Sequence, residues 1–129
     1  MIFKVLTQQG KTYTDEIEYS VIKSENGEMA ILKDHIPIIV QIGEGYLKFV
    51  GKQNETFLVV EQAVVEFSDN ILTVLALEAQ IGSTLDKARH AFQDMKKQKL
   101  EFTKKENIDF SKQERELKEN IMKSKAAHL

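Results

Sequence analysis

Ala63-Val64-Val65-Glu66-Phe67, then Ser68-Asp69-Asn70, then Ile71-Leu72-Thr73-Val74-Leu75-Ala76: two short apolar stretches stand on either side of three turn-forming residues. Each stretch has the length of a strand and not of a helix, and Asp and Asn favour tight turns. The same grammar runs outward toward the N-terminus. Thr56–Val60 and Tyr46–Val50 flank Gly51-Lys52-Gln53-Asn54. Ile38–Ile42 and Met29–Leu32 flank Lys33-Asp34-His35-Ile36-Pro37. Glu16–Lys23 alternates, with Ile17, Tyr19 and Val21 on one face, and Ser24-Glu25-Asn26-Gly27 reads as a turn in which Asn-Gly supplies the positive φ of a hairpin. Ile2–Thr7 comes first and is broken by Gly10. Eight or nine short strands at spacings of roughly 8–12 residues are an all-β pattern. They predict an N-terminal antiparallel β-sandwich of two sheets packed face to face.

Toward the C-terminus the grammar changes. All six glycines and the single proline, Pro37, lie before residue 84. Residues 1–84 carry 12 acids and 6 bases, and residues 85–129 carry 8 acids and 12 bases, so a −6 front is followed by a +4 tail. Leu85, Ala88, Phe92, Met95 and Phe102 recur at three- and four-residue steps, the period of an amphipathic helix. Ser83 followed by Asp86 reads as its cap. A second helix is expected to begin near Asp109 or Ser111, with Phe110, Leu117, Ile121 and Met122 as its apolar set. The short link between them favours an antiparallel two-helix hairpin. The predicted organisation is therefore a β-sandwich over residues 1–83 and an α-helical hairpin over 84–129. The hairpin's apolar stripes are thin, and short helices owe their stability mainly to packing. Such a hairpin is expected to be marginal alone and able to dock in more than one place.

Composition narrows the function. The longest apolar run, Ile71–Leu77, is far too short to cross a bilayer, and the N-terminus does not read as a signal peptide. No direct membrane insertion is expected. With no cysteine, disulfides and thiolate chemistry are excluded. A net charge of −2 argues against nucleic-acid binding. There is no phosphate loop, no metal-spaced cluster and no serine elbow, and His35, His90 and His128 are scattered. No catalytic residue and no metal site are expected, and the chain reads as a non-enzyme.

One longer segment carries a family resemblance: Gly27-Glu28-Met29-Ala30-Ile31-Leu32-Lys33-Asp34-His35-Ile36-Pro37-Ile38. It resembles the epsilon subunit of bacterial F-type ATP synthases, the homologue of mitochondrial delta. Gln41–Lys48, Asn70–Ala76, Leu85-Asp86-Lys87-Ala88-Arg89 and Ile108-Asp109-Phe110 continue the resemblance in order and with matching spacing. There are departures. Glu61-Gln62-Ala63 stands where the family has Ser-Gly-Gly, Ala30 stands for a glycine, and Ile36 for a small residue. A side chain at Ala63 implies a local change of backbone.

The resemblance implies a non-catalytic central-stalk rotor subunit. Its partners would be a gamma-type shaft subunit, the membrane c-ring and, through the basic tail, the catalytic beta subunits. Its place would be peripheral, on the cytoplasmic side of the bacterial plasma membrane. Glu28 matches the family's ring-facing acid, and the His35 loop is implied to lie at the same edge. Other readings are an ordinary solvated turn residue for Glu28 and a turn histidine bonded to nearby backbone for His35. Asp86 and Arg89 share a helix face and could form an exposed pair worth a few tenths of a kcal/mol. The resemblance instead implies contacts to a regulatory ATP, although no cofactor is required. His90, Lys96 and Glu119 depart from the basic set that such a site uses, and lysine is a poorer phosphate fork than arginine. A soluble nucleotide sensor and a stand-alone adaptor remain the rival classes.

Overall fold

The computed structural model describes residues 1–101. The chain divides into two compact units, Met1–Gln93 and Asp94–Leu129. In the first, seven strands run β1 Ile2–Thr7, β2 Thr12–Glu16, β3 Tyr19–Ser24, β4 Gly27–Leu32, β5 Ile38–Val50, β6 Glu55–Ser68 and β7 Ile71–Gly82. A helix, α1, starts at residue 85 and continues to residue 101, the last described. Of the second unit, residues 94–101 are described and are helical. The expected second helix, and with it the hairpin, lies outside the described residues.

The strands join in the order β2-β1-β7-β6-β5-β3-β4. Three of them are long, and each shifts its inward face by one residue partway along. In β6, Leu58 and Val60 are buried, and the next buried residues are Ala63, Val65 and Phe67. β5 changes phase between Ile42 and Leu47, and β7 between Ala76 and Ala79. The ladder skips Gly43, Gln62 and Leu77 at the same level. One residue on each strand is left out of the ladder there and the register is the same on either side, so the three strands bend together without an inserted residue. The continuous sheet thus folds over along this corner into two layers. Phe3 on β1 and Phe49 on β5 stack between them, with ring centroids 4.0 Å apart. Each buried Leu, Ile, Val or Phe of this core contributes roughly 1.5–3 kcal/mol.

The expected sandwich is present, with differences that have physical causes. The pairs Ile38–Ile42 with Tyr46–Val50, and Thr56–Val60 with Ala63–Phe67, are single bent strands. Thr12–Glu16 is a further, mostly exposed edge strand. The sheet is antiparallel except for one pair: β1 runs parallel to β7, Ile2 opposite Ile71. The inward face of β3 is Ser20 and Ile22, not Tyr19 and Val21. Buried Ser20 is satisfied by donating to the Lys48 carbonyl at 3.0 Å. The β3–β4 hairpin turns on Glu25-Asn26, with the positive φ, 128°, at Gly27 and none at Asn26. The β6–β7 turn uses Asp69 and Asn70, both left-handed at φ 52° and 59°, as a two-residue hairpin of matching twist requires.

Within the departing stretch Glu61-Gln62-Ala63, the residue with unusual backbone is Gln62 and not Ala63. It sits at the corner with φ 53°, a region that costs a non-glycine residue roughly 1–2 kcal/mol, while Ala63 beside it is buried. At the other end of the fold, Thr84 and not Ser83 caps α1: its Oγ1 accepts the Lys87 N–H at 3.2 Å. Ala88 and Phe92 are buried, so the first compact unit extends to Gln93, beyond the strand-to-helix junction at residue 83.

Candidate functional site

The face of the first layer that looks away from the core carries one apolar row beside a mostly polar one, Lys4, Thr73 and Glu66. Leu6 of β1 lies opposite Leu75 of β7, and Leu75 lies opposite Val64 of β6. Partners in register share a face, so these three side chains form a row across three strands. They are 43%, 51% and 37% exposed. Gln41 extends the row onto β5, and exposed Ile39 stands two residues along on the same face. The signal was present in the sequence. β7 is apolar at odd and even positions alike, the pattern of a strand meant to be covered on both faces.

At one end of the sandwich, the loop 33–37 joins β4 to β5 and carries His35. The His35 N–H donates to the Leu32 carbonyl at 3.1 Å, and Nδ1 lies 2.7 Å from the Ile36 carbonyl. The ring meets the buried Phe67 edge to face, with centroids 6.0 Å apart. The imidazole is thus held by its own loop and by the core. Ile36 beside it is exposed.

Glu28 is exposed on β4, the edge strand, in register with Lys23. It lines a hollow of ≈ 160 Å³ with Met29, Val40 and Gln41. Nearby Glu25, which sequence reasoning did not single out, reaches from the β3–β4 turn to the bend of β5. Its two carboxylate oxygens accept the N–H groups of Gly43 at 2.9 Å and Glu44 at 3.0 Å. Hydrogen bonds from the backbone of Glu44, of Glu25 itself and of Gly43 stabilise the anion and hold this carboxyl below its ordinary value.

Asp86 and Arg89 both lie on the exposed side of α1, and among the described residues no salt bridge joins them. The Arg89 guanidinium lies 5.7 Å from the centroid of the Tyr46 ring on β5. Lys23 Nζ lies 5.8 Å from the same ring. Glu28 and His35 belong to the β4 edge and the loop after it, whereas Asp86 and Arg89 belong to the start of the helix, so the four do not form one site. Among the described residues no group of His, Cys, Asp and Glu is placed to hold a metal ion. An open cleft of ≈ 570 Å³ sets Asp15, Glu16 and Glu18 against Lys33 and Lys52. Among the described residues this geometry offers surfaces for contact.

Comparison with known proteins gives a consistent answer. Residues 1–82 match the family described as ATP synthase, Delta/Epsilon chain, beta-sandwich domain. The ATP synthase epsilon chain of Pediococcus pentosaceus is 31% identical over 86 residues, covering 66% of this chain and 62% of that one. That of Herminiimonas arsenicoxydans is 31% identical over 93 residues, covering 70% and 66%. The chain therefore spans less than two thirds of the length of these relatives. A chain in the cryo-EM structure of the Tetrahymena thermophila mitochondrial ATP synthase central stalk and c-ring superposes with a TM-score of 0.51 at 15% identity, over 80% of this chain and 93% of that one. That likeness is one of fold. The seven-stranded folded-over sheet and the match over residues 1–82 together place this chain in the delta/epsilon family of ATP synthase subunits.

Proposed function

We propose that the chain is a non-catalytic rotor subunit that joins the shaft of an F-type ATP synthase to its membrane ring. The observation that carries this reading is the Leu6–Leu75–Val64 row. A contiguous apolar band on a sheet already closed on its other side is the mark of an interaction surface. The gamma-type shaft subunit is the partner that fits a family member with this face, and the His35 loop with the Glu28 edge would turn toward the c-ring. The solved neighbour's origin in a central stalk and c-ring supports the same assignment. Among the described residues no helix is long and apolar enough to cross a membrane. The proposed place is peripheral, on the cytoplasmic side of the bacterial plasma membrane. Torque would pass through packing and not through chemistry.

In this reading the basic tail restrains ATP hydrolysis by contact with the catalytic beta subunits, and a regulatory ATP would meet Asp86 and Arg89. Because Ala88 and Phe92 belong to the core of the first unit, the deletion that isolates the tail's effect starts after Gln93.

The experiment is a tagged pull-down from gently solubilised source membranes, with co-eluting chains identified by mass. Recovery of a shaft subunit with the catalytic hexamer is the expected result. Recovery of the chain alone, or with unrelated proteins, overturns the reading. Leu75→Asp, at an exposed position, is expected to keep the fold and lose the shaft. Deletion of 94–129 is expected to keep assembly and raise ATPase activity.

A further inference from the structure

Asp34 and Asn70 are 36 residues apart in sequence and bonded twice in space. The Asp34 N–H donates to Asn70 Oδ1 at 2.7 Å, and Asn70 Nδ2 donates to Asp34 Oδ1 at 2.9 Å. The backbone of Asn70 is engaged as well, its carbonyl accepting the Ile2 N–H at 3.0 Å. Both residues hold left-handed backbone, Asp34 at φ 64° and Asn70 at φ 59°. Asn and Asp tolerate that region better than other side chains, and such strain persists where surrounding contacts over-determine it.

The pair ties the loop 33–37 to the β6–β7 turn. The loop is fastened again by the His35 N–H to the Leu32 carbonyl, and by the His35 ring against Phe67. Yet Ile36 at its crest is 74% exposed. A loop held at three points while presenting a bare apolar side chain has already lost the conformational entropy that binding would otherwise remove. From this we infer that Asp34 and Asn70 are positioning residues, which hold the loop in the one conformation that lets Ile36 engage the c-ring, the partner toward which this loop is proposed to turn. The inference rests on the rotor reading above.

The chemistry of the pair supplies its own test. Asn70→Asp keeps an acceptor for the Asp34 N–H but sets a carboxylate against the Asp34 carboxylate. Adding Asp34→Asn restores a donor facing an acceptor in the reversed sense. The full chain and its variants are titrated against the c-ring purified from source membranes, with thermal unfolding of each variant measured in parallel. Asn70→Asp is expected to weaken binding by about tenfold or more, and the double variant to recover most of it. Ile36→Asp, at an exposed site, is expected to weaken binding comparably with an unchanged Tm. Normal binding by Asn70→Asp, or by Ile36→Asp, overturns the inference and leaves the rotor reading standing. So does a double variant that stays weak with a wild-type Tm. A wild-type chain that does not bind the c-ring overturns the rotor reading and this inference with it.

Discussion

Gly82 and Ala88 approach so closely that a Cβ built on Gly82 would lie 2.6 Å from the Ala88 backbone nitrogen and 3.1 Å from its Cβ. The last residue of β7 and the first turn of α1 meet there with no room for a side chain. Backbone cannot yield as a flexible side chain can. Gly82→Ala is expected to destabilise the Met1–Gln93 unit by about 1–3 kcal/mol, through overpacking. Thermal unfolding measures the loss, and hydrogen exchange over residues 85–93 locates it.

Gln62 offers the opposite case. Its φ of 53° serves the corner and strains the residue that occupies it. Glycine takes that backbone freely but gives the unfolded chain more freedom. Gln62→Gly is therefore expected to stabilise by about 0.5–1 kcal/mol, the balance of the two effects. Urea unfolding with an unchanged m-value would report it cleanly.

Glu25 makes stability depend on acid. Its folded value lies below the ordinary 4.5 because backbone N–H groups favour the anion. Below both values the folded and unfolded states are equally protonated at this group, so the contribution is absent. It is present above the unfolded value and is lost as pH falls through the folded one. Glu25→Gln is expected to flatten that part of the profile below about pH 4.5, and to differ most from wild type near neutrality. Denaturant unfolding at a series of acid pH values is the measurement.

Tyr46 and Arg89 are a cation–π pair on the outer face of the second layer. Replacing the ring by Tyr46→Leu keeps apolar cover and removes the quadrupole. A double-mutant cycle with Arg89→Ala is expected to give a coupling of about 0.5–1 kcal/mol, the value for an exposed pair. The same variants bear on regulatory nucleotide. If Arg89 meets ATP, it must leave Tyr46, and Tyr46→Leu is expected to tighten ATP binding in calorimetry while Arg89→Ala abolishes it.

The layered β-fold was legible because burial on one side of a sheet writes a period of two into the chain. Val65 and Phe67, or Leu72 and Val74, show it directly. What escaped was continuity. At Gly43, Gln62 and Leu77 the period slips by one, so a reader following alternation ends one strand and begins another. The odd spacing from Val60 to Ala63 is the local sign of a bend. β2 escaped for another reason: Thr12, Thr14, Asp15 and Glu16 are exposed, and only pairing to β1 makes them a strand. The contacts of the candidate site were the least legible. Glu28, His35, Asp86 and Arg89 could be singled out one by one, but Tyr46 under Arg89 and Asn70 against Asp34 are tertiary meetings with no local pattern to announce them.

The parallel pairing of β1 with β7 also bears on synthesis. Among the described strands, β1 has β2 as its early neighbour, and its other edge waits until Ile71–Ala76 have been translated. Until then a nascent chain exposes one open strand edge and half of the Phe3–Phe49 stack. Such late, sequence-distant closure slows folding and leaves an interval open to aggregation. The polar hairpin partner β2, with four of its five side chains exposed, shields one side of β1 during that interval.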